Sequence, residues 1–222
     1  MKIIFLIPPS ETKHNSSFYK KEELCFVFEK PLFIGKNASE KDLKCKGKRY
    51  EEAIVLNNSI HEEQTIEAIK RYTGVMYNAI NYAGMSGSAK KYFDKHFLIL
   101  SGMYGILRAY NKIGNYKLPI ETKGLLNHWN DKITNSLNEL QVDYIVDLLP
   151  DSYKKMIDFK KLDSKIINID FINKDGKKVS HGVKKIKGEW IKAICEKREF
   201  DYRKLGNVDF EDEKIVKVRI II

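Results

Sequence analysis

The chain has 222 residues, long for one domain but short for two of ordinary size, so a single domain with insertions is expected. Hydrophobic residues make up 43 % of it, which supplies a real core and excludes wholesale disorder. The net charge of +10 favours polyanionic partners, namely DNA, RNA, a phosphate-bearing ligand or an anionic membrane, although an AT-rich genome rich in Lys, Ile and Asn codons gives the same excess with no partner at all.

In chain order, residues 3–7 are a continuous apolar run ended by Pro8-Pro9, the pattern of a buried strand. That run is too short for a signal peptide, and no apolar stretch approaches membrane-spanning length. Residues 14–48 read as an irregular, lysine-rich, solvated insertion punctuated by Pro31, Gly35 and Gly47. A helix is expected from Tyr50 to a break at Asn57-Asn58-Ser59, and a short one around Ile66 and Ile69. Thr73 is expected to cap a helix over residues 74–80, and Ser88 to cap another running to Asp94. Residues 96–100 are a second buried strand, stopped by Ser101-Gly102, and residues 108–123 read as loop. Trp129, Ile133, Leu137 and Leu140 form the apolar stripe of a helix. Residues 144–149 and 165–171 are further strands, with a turn at Asp175-Gly176. Residues 181–197 read as a helix with an apolar stripe (Val183, Ile186, Trp190, Ile194) opposite a basic face (His181, Lys184, Lys185, Gly188, Lys192). Residues 214–222 make a last strand. Strands alternating with helices indicate an α/β fold: one compact domain over 1–222, with a mixed sheet flanked by helices.

Four stretches carry chemistry. Ser101-Gly102-Met103-Tyr104-Gly105-Ile106-Leu107-Arg108 leaves a buried strand directly into a glycine turn, which is how α/β folds build anion sites. Gly102 and Gly105 would let backbone N–H groups approach a ligand, Ser101 and Tyr104 offer hydroxyls, and Arg108 offers a planar fork for phosphate. The same pattern equally reads as a tight turn with glycines for geometry only. Pro8-Pro9-Ser10-Glu11-Thr12-Lys13 also follows a buried strand, so both loops can face one crevice at the carboxyl ends of the sheet. Glu11 and Lys13 would then be an acid/base or ion pair, unless the segment is a proline-stiffened surface turn. Residues 174–198 hold nine Lys or Arg against three acids, a phosphate-tracking stripe or a solvated face. Tyr116 among Lys117 and Lys123 can stack a base and hold phosphate, or simply pack a long loop.

The three cysteines, Cys25, Cys45 and Cys195, are odd in number and widely spaced. The five histidines form no H-x-x-x-H pair. No disulfide framework, metal site or cofactor is therefore expected, and a reducing cytoplasm fits best, with no membrane partner.

These segments in this order resemble the YaaA family of peroxide stress response proteins. Pro8-Pro9-Ser10-Glu11-x-Lys13, Tyr72-Thr73-Gly74-Val75-Met76-Tyr77, Leu100 to Arg108 followed by Tyr116-Lys117-Leu118, Trp129-x-x-Lys132-Ile133-Thr134 and Lys184-Lys185-Ile186-Lys187-Gly188 carry the likeness. It implies a compact α/β fold with a positively charged cleft, double-stranded DNA as partner, and a part in limiting oxidative damage by keeping free iron low, indirectly, since no iron site is visible. Met103 stands where the family usually has Leu, the proline usual after Arg108 is missing, and Lys117 and Lys187 replace arginines, keeping charge but losing bidentate phosphate geometry.

Two functions follow as expectations. The first is a DNA-binding protein of the peroxide stress response, using Ser10, Gly102, Gly105, Arg108, Tyr116, Lys117, Lys123, Lys184, Lys185 and Lys187 as nucleic-acid or anion contacts. The alternative is an enzyme acting on a nucleotide, nucleoside or damaged nucleobase, of glycosidase or lyase type, with Glu11, Lys13, Ser101 and Tyr104 as catalytic candidates. A direct iron-binding or peroxide-reducing protein is the least supported, for want of clustered ligands or a redox cysteine pair.

Overall fold

The computed structural model describes residues 1–16, 18–62 and 64–222, leaving aside the side chain of Glu22. The strands in chain order are β1 (Ile3–Ile7), β2 (Ile66–Glu67), β3 (Phe97–Ser101), β4 (Gly105–Leu107), β5 (Lys112–Ile113), β6 (Tyr144–Asp147), β7 (Lys165–Ile172), β8 (Asn207–Glu211) and β9 (Ile215–Ile221). The helices are α1 (Glu29–Lys36), α2 (Glu40–Leu43), α3 (Lys48–Asn58), α4 (Ala68–Arg71), α5 (Val75–Ile80), α6 (Gly87–His96), α7 (Leu125–Glu139), α8 (Asp151–Lys154), α9 (Val183–Lys197) and α10 (Tyr202–Leu205).

The apolar runs do what their composition requires. β1 and β3 are buried at every position, so each must lie inside a sheet covered on both faces. β1 pairs in parallel with β3 on one side and β6 on the other, Phe5 lying opposite both Phe97 and Val146. β7 and β9 extend the parallel array, and antiparallel β4 and β8 close its edges. The order is β4-β3-β1-β6-β7-β9-β8, a mixed sheet, and β2 and β5 form a small separate antiparallel pair.

One hydrophobic cluster holds the molecule together. Phe5, Phe97 and Phe93 stack ring on ring at 4.5 Å, and Trp190 of α9 meets Phe5 edge-on, so α6 and α9 are fixed on that face of the sheet. Elsewhere α7 buries Trp129, Ile133 and Leu137 of its expected stripe, with the Phe28 ring 5.0 Å from Trp129.

The order places a topological switch at the centre. From β1 the chain moves towards β3, whereas from β6 it moves towards β7. The connections leave two neighbouring parallel strands in opposite directions, which opens a crevice beyond their carboxyl ends.

Several local expectations are corrected. The segment 14–48 is not irregular throughout, since it contains α1 and α2. Pro31 is the third residue of α1, where a missing N–H costs nothing because first-turn donors have no helical partner. Ser39 and Asp42 form a capping box at α2. The cap of α6 is Ser86, not Ser88, and α5 starts at Val75 with Gly74 at its N-cap position and no side-chain cap from Thr73. Ile66 lies in β2 rather than in a helix, because it pairs with Ile113 inside the stretch read as loop. In α9 the buried positions are Gly188, Ile191, Ile194 and Cys195, so the helix is rotated relative to the expected stripe and Gly188 leaves the basic face.

Candidate functional site at the carboxyl ends of β1 and β6

A cavity of about 600 Å³ occupies the switch point. Its walls are residues 8–13 after β1, residues 73–77 around the start of α5, residues 116–121 beyond β5, and Pro150, Ser152 and Tyr153 beyond β6. Lys184 of α9 completes the lining. Three lysines, Lys13, Lys117 and Lys184, thus arrive from three separate segments and face two glutamates, Glu11 and Glu121.

Lys13 is positioned by backbone pairing. It forms a bridge with Tyr72, flanked by hydrogen bonds from Thr73 N to Thr12 O (3.0 Å) and from His14 N to Arg71 O (2.8 Å). Arg71 is fully buried and donates through Nη1 to the carbonyls of His14 and Ser16, which ties the same loop down. Lys13 Nζ consequently lies over the Tyr116 ring, 4.3 Å from its centre, and donates to the Glu11 carbonyl at 3.3 Å. Burial lowers the Lys13 ammonium from 10.5 to about 7, with repulsion from Lys117 adding to it, Glu11 opposing, and Arg71 adding a little more. The Glu11 carboxylate itself is exposed and meets Lys117 Nζ at 3.5 Å.

Behind Lys13 runs a chain of hydroxyls. Tyr116 OH is 2.7 Å from Ser101 Oγ and 2.8 Å from Tyr72 OH. Ser101 Oγ accepts from the N–H groups of Met103 (3.2 Å) and Tyr104 (3.1 Å). With both lone pairs occupied, its own proton goes to Tyr116. Tyr77 OH donates to the Pro8 carbonyl at 2.9 Å. Burial pushes the Tyr116 phenol up to about 12 and those of Tyr72 and Tyr77 well above the ordinary 10, so all three are protonated at neutral pH.

The structure therefore gathers Ser10, Glu11, Lys13, Tyr116, Lys117 and Lys184 around one cavity and puts the other candidates elsewhere. Ser101, Gly102 and Tyr104 are buried beneath it, with the Met103 and Tyr104 N–H groups spent on Ser101 Oγ. Gly102 O accepts from Trp129 Nε1 at 2.8 Å. Gly105 has φ +72°, and a Cβ there would lie 2.6 Å from the Trp129 ring, so this glycine serves the β3–β4 turn. Tyr104 OH accepts from Gly114 N at 3.0 Å, and Arg108 Nη1 donates to the Lys95 carbonyl at 2.8 Å. Lys123 is exposed outside the lining. Lys185 meets Glu189 at 3.7 Å along a groove between α5 and α9. Lys187 is half-buried, its Nζ donating to Leu148 O at 2.9 Å just past β6.

Tyr72, Tyr77, Arg71 and Tyr153 had no assigned role in the sequence. For the first two a signal existed in the Tyr72-to-Tyr77 motif. Among the described residues, no group of three or more His, Cys, Asp or Glu could hold a metal ion, and no helix is long and apolar enough to cross a membrane. Burial pushes the Cys25 and Cys195 thiols up to about 12, which keeps them from acting as thiolates at neutral pH.

Fold and site together define an α/β domain whose lysine-bearing cavity lies at the carboxyl ends of its parallel strands. A family model described as peroxide stress protein YaaA matches residues 1–215, and the chain belongs to that family. A UPF0246 protein of Francisella tularensis subsp. novicida (strain U112) is 31 % identical over 204 residues, 80 % of each chain. One from Francisella philomiragia is 32 % identical over 177 residues, 72 % of this chain and 70 % of its own. One from Rickettsia rickettsii (strain Iowa) is 31 % identical over 144 residues, 60 % of this chain and 58 % of its own length. The chain thus spans less than two thirds of that Rickettsia relative.

Proposed function

We propose that this protein serves the peroxide stress response by binding nucleic acid, with double-stranded DNA as its partner, and that the cavity between β1 and β6 receives one phosphate-bearing unit of it. Membership of the peroxide stress protein YaaA family supports the cellular role. The observation that carries the binding reading is the convergence of Lys13, Lys117 and Lys184 on one cavity of about 600 Å³, room enough for a nucleotide drawn out of a duplex. The net charge of +10 supports a polyanion over a neutral ligand. Any effect on free iron follows indirectly from that binding.

Phosphate contacts release counterions, so affinity must fall steeply with salt. For duplex DNA, a plot of log affinity against log salt should lose a slope of about 2 in the double variant Lys117→Ala, Lys184→Ala, because each contact contributes about 0.9. Lys185→Ala, outside the cavity, should change that slope by about 1 at most. Absence of duplex binding at low salt, or an unchanged slope in the double variant, would overturn the reading.

A further inference from the structure

We infer that Lys13 is a nucleophilic amine that forms a Schiff base with an aldehyde sugar carrying phosphate. The inference rests on the cavity's being a phosphate site, and it adds the chemistry done there.

Three features of the geometry carry it. First, Lys13 lines the cavity, and among the described residues no carboxylate stands within ion-pair distance of its Nζ. The nearby Glu11 carboxylate is turned to Lys117, and only the Glu11 carbonyl meets the amine. Lys13 is half-buried, and a lysine held merely for structure at such a site normally meets a carboxylate. Second, the Tyr116 ring lies 4.3 Å beneath Nζ. A ring face stabilises a cationic iminium as it does an ammonium, so the product is accommodated where the reactant sits. Third, Lys117 and Lys184 line the same cavity and supply charge for phosphate on the sugar that bears the aldehyde. The lowered proton affinity of Lys13, about 7, leaves much of the amine neutral and nucleophilic at physiological pH.

The step balances without any further reagent. The neutral amine attacks the aldehyde carbon, both N–H protons leave with the carbonyl oxygen as water, C=N replaces C=O, and the imine nitrogen takes up one proton from solvent to become the iminium. Two sources offer this chemistry. Hydrolytic loss of a base, damaged or intact, leaves a deoxyribose aldehyde between two phosphates in a DNA strand, and free deoxyribose 5-phosphate carries the same aldehyde as a small molecule.

The full chain should be incubated with a duplex bearing one abasic site, and separately with deoxyribose 5-phosphate, then reduced with borohydride and analysed by intact mass and peptide mapping. We expect one adduct per chain, mapped to Lys13 and missing from Lys13→Arg, which keeps the charge but cannot form the imine. Its initial rate of formation should rise about tenfold from pH 6 to pH 8, as the neutral fraction of a group titrating near 7 does. An adduct with the duplex alone identifies damaged DNA as the source, and an adduct with the sugar phosphate alone identifies the small molecule. No adduct with either, or adducts on wild-type protein that map to other lysines, overturns the inference, and the mapping decides even if Lys13→Arg fails to fold. Salt-dependent binding of undamaged duplex is measured in parallel. Retained binding without trapping sinks the Schiff base and spares the DNA reading, whereas trapping of the sugar phosphate without duplex binding does the reverse.

Discussion

Lys13 releases its proton at about 7 in the folded chain, against 10.5 for the free side chain, chiefly because it is buried. Between those values the unfolded chain binds more protons than the folded one, so this group's contribution to stability rises with pH across the window. Below about 7 the amine is charged in both states and its full burial penalty is felt. Lys13→Met keeps the stem and removes the charge, so it should melt a few degrees above wild type at pH 6, with the gap shrinking at pH 9. Thermal melts at the two pH values check this, and an equal gap at both would mean the amine is solvated. The same residue illustrates what a sequence reveals at this scale. The placement of Glu11 and Lys13 at the cavity was legible because they follow a buried strand, and that of Lys117 because it stands beside Tyr116 in an irregular basic segment. Ser101 and Tyr104 lie buried outside the cavity lining, and the sequence does not reveal it, because a hydroxyl beside glycines looks the same whether it faces a ligand or caps its own turn, as Ser101 does with the N–H groups of Met103 and Tyr104. Tyr72 and Arg71 carry no hint of their partners, since those lie over 40 residues away at Tyr116, Ile113 and His14.

At the scale of elements, the contact between α5 and α9 depends on one absent side chain. A Cβ at Gly188 would lie 2.4 Å from Met76 O, 2.6 Å from Ala79 Cβ and 3.1 Å from Ile80 N. Two of these are backbone atoms, so no rotamer change relieves the clash. Gly188→Ala should therefore cost about 3 kcal/mol despite the better helix propensity of alanine, visible as a loss of about 6–12 °C in Tm. Gly87 opens α6 with nothing near its would-be Cβ, and Gly87→Ala should be neutral or stabilise by up to about 1 kcal/mol. If both substitutions cost alike, the close approach of the two helices is wrong. Because α5 carries part of the cavity wall and α9 carries Lys184, this contact also sets the width of the site. β1, β3, β6 and β7 were legible from apolar runs, which a sheet covered on both faces buries, and β9 from its alternation, with Lys217 and Arg219 exposed between buried residues. β2 and β5 are two residues each, too short to show a period, and β8 is exposed along its whole length, so burial left no pattern there.

At the scale of the whole molecule, adjacency was not legible. Apolar runs give strands but not their order, and the cavity exists only because β1 lies between β3 and β6. That the loop after β1 lines a crevice followed from strand-end logic. That its partners are residues 116–121 and the segment beyond β6, rather than the loop after β3, followed from topology alone. The same topology makes a claim about cooperativity. The chain has two tryptophans, Trp190 packed with Phe5 against the sheet and Trp129 beneath the β3–β4 turn with Phe28. Trp129 lies in one continuous hydrophobic cluster and Trp190 packs against the same cluster, although they report on different helices. A chain that folds around one core should unfold as one unit, with probes in distant places giving coincident transitions. Trp129→Phe leaves Trp190 as sole reporter, and Trp190→Phe leaves Trp129. Within each variant, the denaturant midpoint by fluorescence should equal that by far-ultraviolet circular dichroism, even though the two variants differ in stability from each other. A fluorescence midpoint well below the dichroism midpoint for either tryptophan would mean that its helices melt before the sheet, and that the cavity walls do not form a single rigid body.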